Sequence, residues 1–364
     1  MEERILVPVD KLKNFCMETF LALGVPKRDA KIAADVIVEA DLMGIDSHGV
    51  ARLKRYVSGI KDGMINPKPK IKVVKESSVT ALIDGDAGLG QVVAYKAMKL
   101  AIEKAKNNFL AFVAVRNSNH YGIASYYSMM ALKEGMIGIS MTNSDTLVVP
   151  TFGKDAILGT NPISIAVPAK KEKPFIMDFA TSVVSRGKLE KYSREGKKIP
   201  LGWALNVEGL PTSDPVEVLE NLKKRKGGGI LPLGGFGEEF GGHKGYGLAL
   251  AVDIFSGVLS GSGYADLVYK RKSDGRISSN IGHFFGAIRI DAFRDVEEFK
   301  EAMDDLIRRI KNSGKAKGYS RIYIHGEKEL ETREKRLKEG VPLHPKVIEA
   351  MREVASDLGI DFLF

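Results

Sequence analysis

The sequence predicts an α/β fold, with a central mixed sheet flanked by helices and a helical part drawn from both ends of the chain. Three observations carry this. Apolar residues recur at helical spacing through the first ~65 residues. Strand-like and helical runs then alternate from residue 71 onward. From about residue 327 the tail is again helical and densely charged. The expected parts are 1–70, joined by 330–364, as a helical unit, and 71–329 as an α/β unit.

Residues 10–23, "DKLKNFCMETFLAL", read as an amphipathic helix with Asp10 as its N-cap and Gly24 and Pro26 ending it. Cys16, the single cysteine, falls among its apolar residues as core filler, and one thiol excludes an internal disulfide. "RDAKIAADVIVEADLMG" is a second helix with Ile32, Val36 and Ile37 on one face, and "GIDSHGVARLKRY" opens a third. The connector "DGMINPKPK" closes this helical part. "IKVVKESSVTALIDGD" reads as a hairpin or a pair of strands. "QVVAYKAMKLAIEKAKNN" is a helix, "FLAFVAVRNSN" a buried strand, "GIASYYSMMALKEG" a helix and "MIGISMTNS" a strand. Such alternation by itself points to a largely parallel sheet. Two short apolar runs, "PISIAVP" and "PFIMDFA", lead to the glycine-rich loop "KGGGILPLGGFGEEFGGHKG" and the apolar helix "YGLALAVDIFSGVLSG". "HFFGAIRI" is a strand and "VEEFKEAMDDLIRRIKNS" an amphipathic helix.

The chain has 364 residues and a net charge of +9, from 55 basic and 46 acidic side chains. The charges are interleaved, as in "GEKELETREKRLKEG", which suits a solvated helix laced with ion pairs rather than a nucleic-acid-binding patch. A basic surface attracts anionic substrates and cofactors. The abundance of Lys and Glu beside one Cys hints at a thermophile source. No apolar run approaches the ~20 residues that span a bilayer. "MEERILVPVDKL" lacks a leader pattern, so a cytoplasmic location is expected.

Candidate chemistry gathers at four stretches. His48 and Arg52 are four apart, one helical turn. With Asp46 or Ser47 as N-cap, His48 falls in a first turn, where the helix dipole favours the neutral base. Arg52 offers a planar fork to a carboxylate. A base beside such a clamp is what oxidation of a 2-hydroxy acid needs; the same spacing also suits a capping histidine and an exposed arginine. His120, in "AVRNSNHYG", lies between a buried strand and the start of a helix, where ligands of open α/β sheets bind. His243 and Lys244 stand at the mouth of the apolar helix, where glycines allow close approach of a phosphate or a nicotinamide amide. Asp178, Ser182, Arg186 and Lys188 follow a strand and suit a ribose and phosphates, or equally a charged loop.

"GDAGLG" has the spacing G-x-x-G-x-G, so the dinucleotide fingerprint is absent, as is a P-loop. The six histidines lack the tight spacings of a zinc site, and no metal is expected.

The blocks "DSHGVARLKRY", "DGDAGLGQ", "VRNSNHYGIASYY", "GTNPISIAVP", "MDFATSVVSRGK" and "GHKGYGLALAVDIFSGVLSG", in this order, resemble the malate/L-lactate dehydrogenase family, and most its archaeal members. The resemblance runs from about residue 8 to the end. It implies a nicotinamide-binding fold unrelated to the Rossmann fold, NAD or NADP as cofactor, and a homodimer. It implies hydride transfer to or from malate, with L-lactate or sulfolactate as alternatives; some members instead reduce cyclic imino acids or keto sugar acids. Residue by residue, His48 and His120 both match positions of the proton-transfer group, and Arg52 matches the arginine that binds the substrate carboxylate. Ser144, Asp178, Phe179, Ala180 and Lys244 match cofactor-binding positions. So do Gly326 and Glu327, although His325 stands where many relatives have proline.

Overall fold

The computed structural model describes residues 4–271, 277–362 and 364; the first three residues of the N-terminal stretch lie outside the described residues. The chain starts with a short strand, β1 (Ile5–Val7), followed by helices α1 (Val9–Ala22) and α2 (Lys27–Leu42). Pro8, not Asp10, occupies the position before α1; Asp10 lies inside the first turn, where its charge still meets the positive end of the helix. Gly24, at φ +81°, and Pro26 separate the two helices as the sequence indicates. Ile32, Val36 and Ile37 of α2 are buried.

Helix α3 (Leu53–Lys61) precedes an antiparallel hairpin, β2 (Lys72–Glu76) and β3 (Thr80–Asp84). Next come α4 (Gly90–Asn108), β4 (Leu110–Ser118), α5 (Ser125–Leu132), β5 (Ile137–Thr142), β6 (Ile163–Val167) and β7 (Phe175–Phe179). A lobe follows, with α6 (Arg186–Arg194), β8 (Ala204–Leu205), α7 (Pro215–Lys224), β9 (Gly229–Ile230) and α8 (Gly242–Asp253), the last running on into a π-helical turn, Ile254–Val258. A small hairpin, β10 (Tyr269–Arg271) and β11 (Ile277–Ser279), leads to β12 (Ile281–Ile288) and α9 (Val296–Asn312). The tail is α10 (Glu327–Glu339), β13 (Val341–Leu343) and α11 (Pro345–Leu358).

Seven strands form the central sheet in the order β2-β3-β4-β12-β5-β6-β7. It is mixed, but only β3 and β4 run parallel; every other neighbouring pair is antiparallel. The largely parallel sheet suggested by alternation is therefore corrected. β12, arriving from far along the chain, inserts antiparallel between β4 and β5, which removes the parallel pairing that two successive β-α units would make.

One apolar core joins the terminal helices to the sheet, with Leu12, Phe20, Ile37, Met98, Val113, Phe285 and Met351 all buried. The lobe from 148 to 250 has its own cluster around Leu158, Leu189, Val218 and Ile230. β1 pairs antiparallel with β13, so residues 5–7 and 341–343 are zipped together.

The directions of the strands decide where chemistry collects. The C-terminal ends of β4, β5 and β7 and the N-terminal ends of β6 and β12 all meet at one end of the sheet, since Ser118 faces Ile281, Thr142 faces His283 and Phe179 faces Ile163.

Candidate active site

His48 ends a short 3-10 turn at a bend and is not in the first turn of an α-helix. After Gly44 the chain makes two successive 3-10 turns, Asp46–His48 and Val50–Arg52, and α3 begins only at Leu53. The expected cap by Asp46 or Ser47, and with it the helix-dipole effect on His48, are thereby corrected. A buried carboxylate enforces the bend. Asp41, at the end of α2, accepts the Val50 N–H at 2.8 Å and lies directly beneath Gly49, where a Cβ would come 1.9 Å from its Oδ1. Burial pushes the Asp41 carboxyl up to about 8, with nearby Asp46 adding to the shift and the Val50 N–H and Arg336 opposing it. From α10, Arg336 reaches across to the Asp41 carbonyl and to Asp46 Oδ1. Arg52, beginning the helical stretch, turns its Nε back onto the Ser47 carbonyl at 2.7 Å, and Ser47 Oγ meets His48 Nδ1 at 2.9 Å. His48 is half-buried. Burial first, then the charges of Arg52 and Arg55, push its pKa down to about 4.

His120 also precedes its helix. β4 ends at Ser118 and α5 starts at Ser125, so the imidazole lies in the loop between them. "DGDAGLG" builds its seat. Asn119 Nδ2 donates to the carbonyls of Ala87 and Gly88 at 2.8 and 2.9 Å, and Gly90 packs so tightly that a Cβ would meet the Asn119 carbonyl at 2.1 Å. These glycines thus serve close backbone packing. Tyr56, buried on α3, places its hydroxyl 2.7 Å from His120 Nδ1. The rings of His48 and His120 stack with centroids 5.5 Å apart. Burial, with Arg55, His48, Arg52 and His283 adding repulsion, holds His120 well below the ordinary imidazole range. Behind it His283 is fully buried, with Nδ1 on Thr142 Oγ1 at 2.7 Å, Nε2 near Ser118 Oγ at 2.8 Å, and its ring stacked on Tyr121. Burial brings it to about 3, and with both nitrogens occupied it is a structural imidazole.

At the same end of the sheet Ser144 Oγ accepts the Thr160 N–H at 3.0 Å. The Asp178 carboxylate accepts the Ser125 N–H at 2.7 Å, which ties β7 to the start of α5; burial raises its pKa to about 6 against that bond. Phe179 and Ala180 follow, half-buried. Thr181 donates to the Thr160 carbonyl and accepts from Leu233, against whose backbone Gly245 of α8 is packed. This chain of contacts brings the mouth of α8, with exposed His243 and Lys244, to the exit of β7. Ser182 is buried, and its hydroxyl donates to the Val184 carbonyl. Arg186 pairs with Glu190 at 3.0 Å. The next residue, Gly187, lies beside Ser47, so α6 begins at the His48 bend. Lys188 is exposed. Glu327 is buried and committed to Lys311, Arg321 and the Ile324 N–H at 2.8, 3.2 and 3.1 Å. Gly326, at φ +94°, packs on Ile176, and the His325 carbonyl accepts the Ile176 N–H, which extends the edge of β7.

The structure therefore brings His48, Arg52 and His120 together, sets Ser144 and Asp178–Ala180 at the same end of the sheet, and places Arg186 next to the His48 bend. Glu327 and Ser182 are engaged in holding the fold. Sequence reasoning missed Tyr56, Arg55 and Asp41. Tyr56 stood at helical spacing from Arg52, and Asp41 was one of two acids, with Glu39, in the mainly apolar stretch "VIVEADLM". Nothing local marked Arg55. Among the described residues no group of three His, Cys, Asp or Glu side chains is placed to hold a metal ion, and no helix is long and apolar enough to cross a membrane.

A model of the malate/L-lactate dehydrogenase family matches residues 7–352. A malate dehydrogenase of Pyrococcus horikoshii is 55% identical over 362 residues, covering 100% of this chain and 98% of that protein. An L-sulfolactate dehydrogenase of Methanocaldococcus jannaschii is 45% identical, covering 98% of each. Among solved structures, malate dehydrogenase from Entamoeba histolytica superposes with a TM-score of 0.95 at 41% identity, covering 100% of both chains. On this evidence the chain belongs to the malate/L-lactate dehydrogenase family and is a dehydrogenase.

Proposed function

We propose that this enzyme interconverts malate and oxaloacetate with NAD or NADP. The observation that carries the reading is the stacked imidazole pair beside an arginine that has no carboxylate partner among the described residues. The names of the 55% and 45% identical relatives support an acidic 2-hydroxy acid.

Arg52 binds the C1 carboxylate with its guanidinium fork. His120 moves the hydroxyl proton. Its Nδ1 is fixed by Tyr56, while Nε2 has no protein hydrogen bond among the described residues. For oxidation the ring carries its proton on Nδ1, donating to the Tyr56 oxygen, so that the Nε2 lone pair is free to accept. The depressed pKa values keep both imidazoles neutral at neutral pH, the form a base requires. His48 packs on the face of His120 and orients it.

The residues present fit a dinucleotide. Ser144 and Thr160 supply hydroxyls at the strand ends. Lys244 stands at the N-terminus of a 12-residue helix, where backbone N–H groups and a cation suit a diphosphate. The Asn161 Oδ1 nearby is buried without a protein partner. Ser144, Asp178, Phe179, Ala180, His243 and Lys244 would hold the cofactor, with Gly326 backing β7. When bound, the nicotinamide accepts or returns the hydride. The helical part, 1–70 with 330–364, supplies the clamp and the imidazole packed on the base, and 71–329 supplies the base and holds the cofactor. Arg186 and Lys188, at the start of α6, are assigned to the 2′-phosphate of NADP. Arg186→Ala is expected to raise the KM for NADPH at least tenfold more than that for NADH; equal changes would refute the assignment.

A homodimer is part of the reading. α8 and its π turn expose Leu248, Ile254, Phe255, Val258 and Leu259, an apolar face of the kind that marks an interface. Sedimentation showing a monomer at micromolar concentration would refute it. Interleaved surface ion pairs support a small-molecule partner over nucleic acid, and the single buried thiol supports a cytoplasmic location.

The deciding experiment follows nicotinamide absorbance with malate, L-lactate, sulfolactate and a cyclic imino acid. Malate is expected to give the highest kcat/KM. Preference for the imino acid would overturn the reading.

A further inference from the structure

Arg55 looks at first like one more surface cation, but its surroundings differ from those of the others. It follows Arg52 by three residues, so the two side chains rise from neighbouring points of one helical face, with Cβ atoms roughly 5–6 Å apart. The next residue, Tyr56, holds His120. Other cations near it sit against carboxylates, as Lys54 does on Glu353 and Lys61 on Asp357. Neither Arg52 nor Arg55 has an acidic partner within salt-bridge distance among the described residues. Arg55 is instead aimed by a phenol: its Nη2 donates to Tyr269 Oη at 3.1 Å. The field of Asp145, which lies 3.8 Å from Arg225, also reaches it. The positive charge of Arg55 also falls on both His48 and His120.

Two guanidiniums on one face, beside a proton-transfer pair and short of anions, match a substrate with two acid groups. We propose that Arg55, aimed by Tyr269, binds the distal oxyanion of the substrate, a carboxylate or a sulfonate on the carbon next to the hydroxyl-bearing one, while Arg52 holds the C1 carboxylate. This rests on the 2-hydroxy-acid reading above and adds its selectivity. A methyl group in the distal position, as in lactate, leaves the Arg55 charge unmatched, so the site discriminates by an unfilled ionic contact rather than by size.

The test measures kcat/KM for malate, sulfolactate and L-lactate in the full-length enzyme and in Arg55→Gln, Arg55→Lys and Arg52→Lys. In Arg55→Gln the malate-to-lactate ratio is expected to fall at least about 30-fold, mainly through KM for malate, as befits one charge-assisted contact. Arg55→Lys restores part of the ratio. The sulfolactate arm tells whether a sulfonate is held as well as a carboxylate. Where lactate turnover is too slow to time, competition by oxamate and by tartrate gives the same ratio from inhibition constants. Equal losses for diacid and monoacid in Arg55→Gln would overturn the proposal and leave the dehydrogenase site intact. Unchanged activity on every substrate in Arg52→Lys would instead overturn the site on which it rests.

Discussion

The two imidazoles of the site are held in opposite ways. His48 rides a bend that side chains enforce: the Asp41 carboxylate beneath Gly49, and Arg336 from the tail gripping Asp46. Its own Nδ1 partner is the exposed hydroxyl of Ser47. His120 rides a loop that backbone enforces. Gly90 is pressed on the Asn119 carbonyl, Asn119 is pinned to two carbonyls, and the Nδ1 partner is a buried phenol. The Tyr56 hydroxyl keeps its proton well beyond neutral pH, since burial pushes it up to about 12 against the pull of Arg55 and Arg52. The lesson is that the group expected to move the proton is placed by parts that cannot yield, while the group that packs beside it is placed by parts that can.

The sharpest way to break this comparison is to remove each ring. His120→Asn is expected to lower kcat by about 10²–10⁴, and His48→Asn by about tenfold, both read in the hydroxy-acid oxidation direction. A larger loss at His48 would exchange the two roles. Next in size are the glycines. Gly49→Ala and Gly90→Ala are each expected to cost about 2–4 kcal/mol of stability, because an added methyl meets atoms at 1.9 and 2.1 Å. They should differ in rescue. Asp41→Ala opens space under residue 49, so the Gly49→Ala/Asp41→Ala double variant should lose at least 1 kcal/mol less than the sum of the singles in urea unfolding. No side-chain deletion can relieve Gly90→Ala, whose neighbour is backbone. Additivity at the Gly49–Asp41 pair would show that the bend is not held by that carboxylate.

The smallest effect is on pH. The proposed base is a neutral imidazole, and burial holds both rings below 6.5, His48 at about 4. Oxidative kcat/KM of the free enzyme should therefore stay level as pH falls through 6.5 and drop only well below it. An inflection at 6.5 would mean that the imidazoles are solvated. His283 gives the matching stability term. Below 6.5 the unfolded chain protonates it while the fold, with a pKa of about 3, does not, so stability falls with pH between those values. His283→Asn should flatten that slope by about 1.4 kcal/mol per pH unit.

Much of this was legible in the sequence because it rests on local pattern. Helices α1, α2 and α4 and strands β4, β5 and β12 follow apolar periodicity, and His48, Arg52 and His120 sit in stretches whose residue types carry their chemistry. What could not be read depends on contacts between distant residues. The insertion of β12 between β4 and β5 made the sheet mainly antiparallel. Asp41 lies nine residues from the N–H it accepts, and its effect is to replace the expected helix at His48 with two tight turns. "GDAGLG" gave no hint that its carbonyls hold Asn119. The tail helix looked self-contained, with acid and base at pairing intervals, yet Arg333 reaches Glu39 and Arg336 reaches Asp46.

That last contact ties activity to the order in which the chain is made. The bend carrying His48 is translated early, but the arginine that grips it and the strand that zips onto residues 5–7 come some 290 residues later. At about 5–20 residues per second the ribosome takes on the order of tens of seconds to cover that distance. A nascent chain therefore carries an unfinished candidate site until α10 and β13 have emerged, and a premature stop anywhere before residue 336 leaves the His48 bend without its clamp.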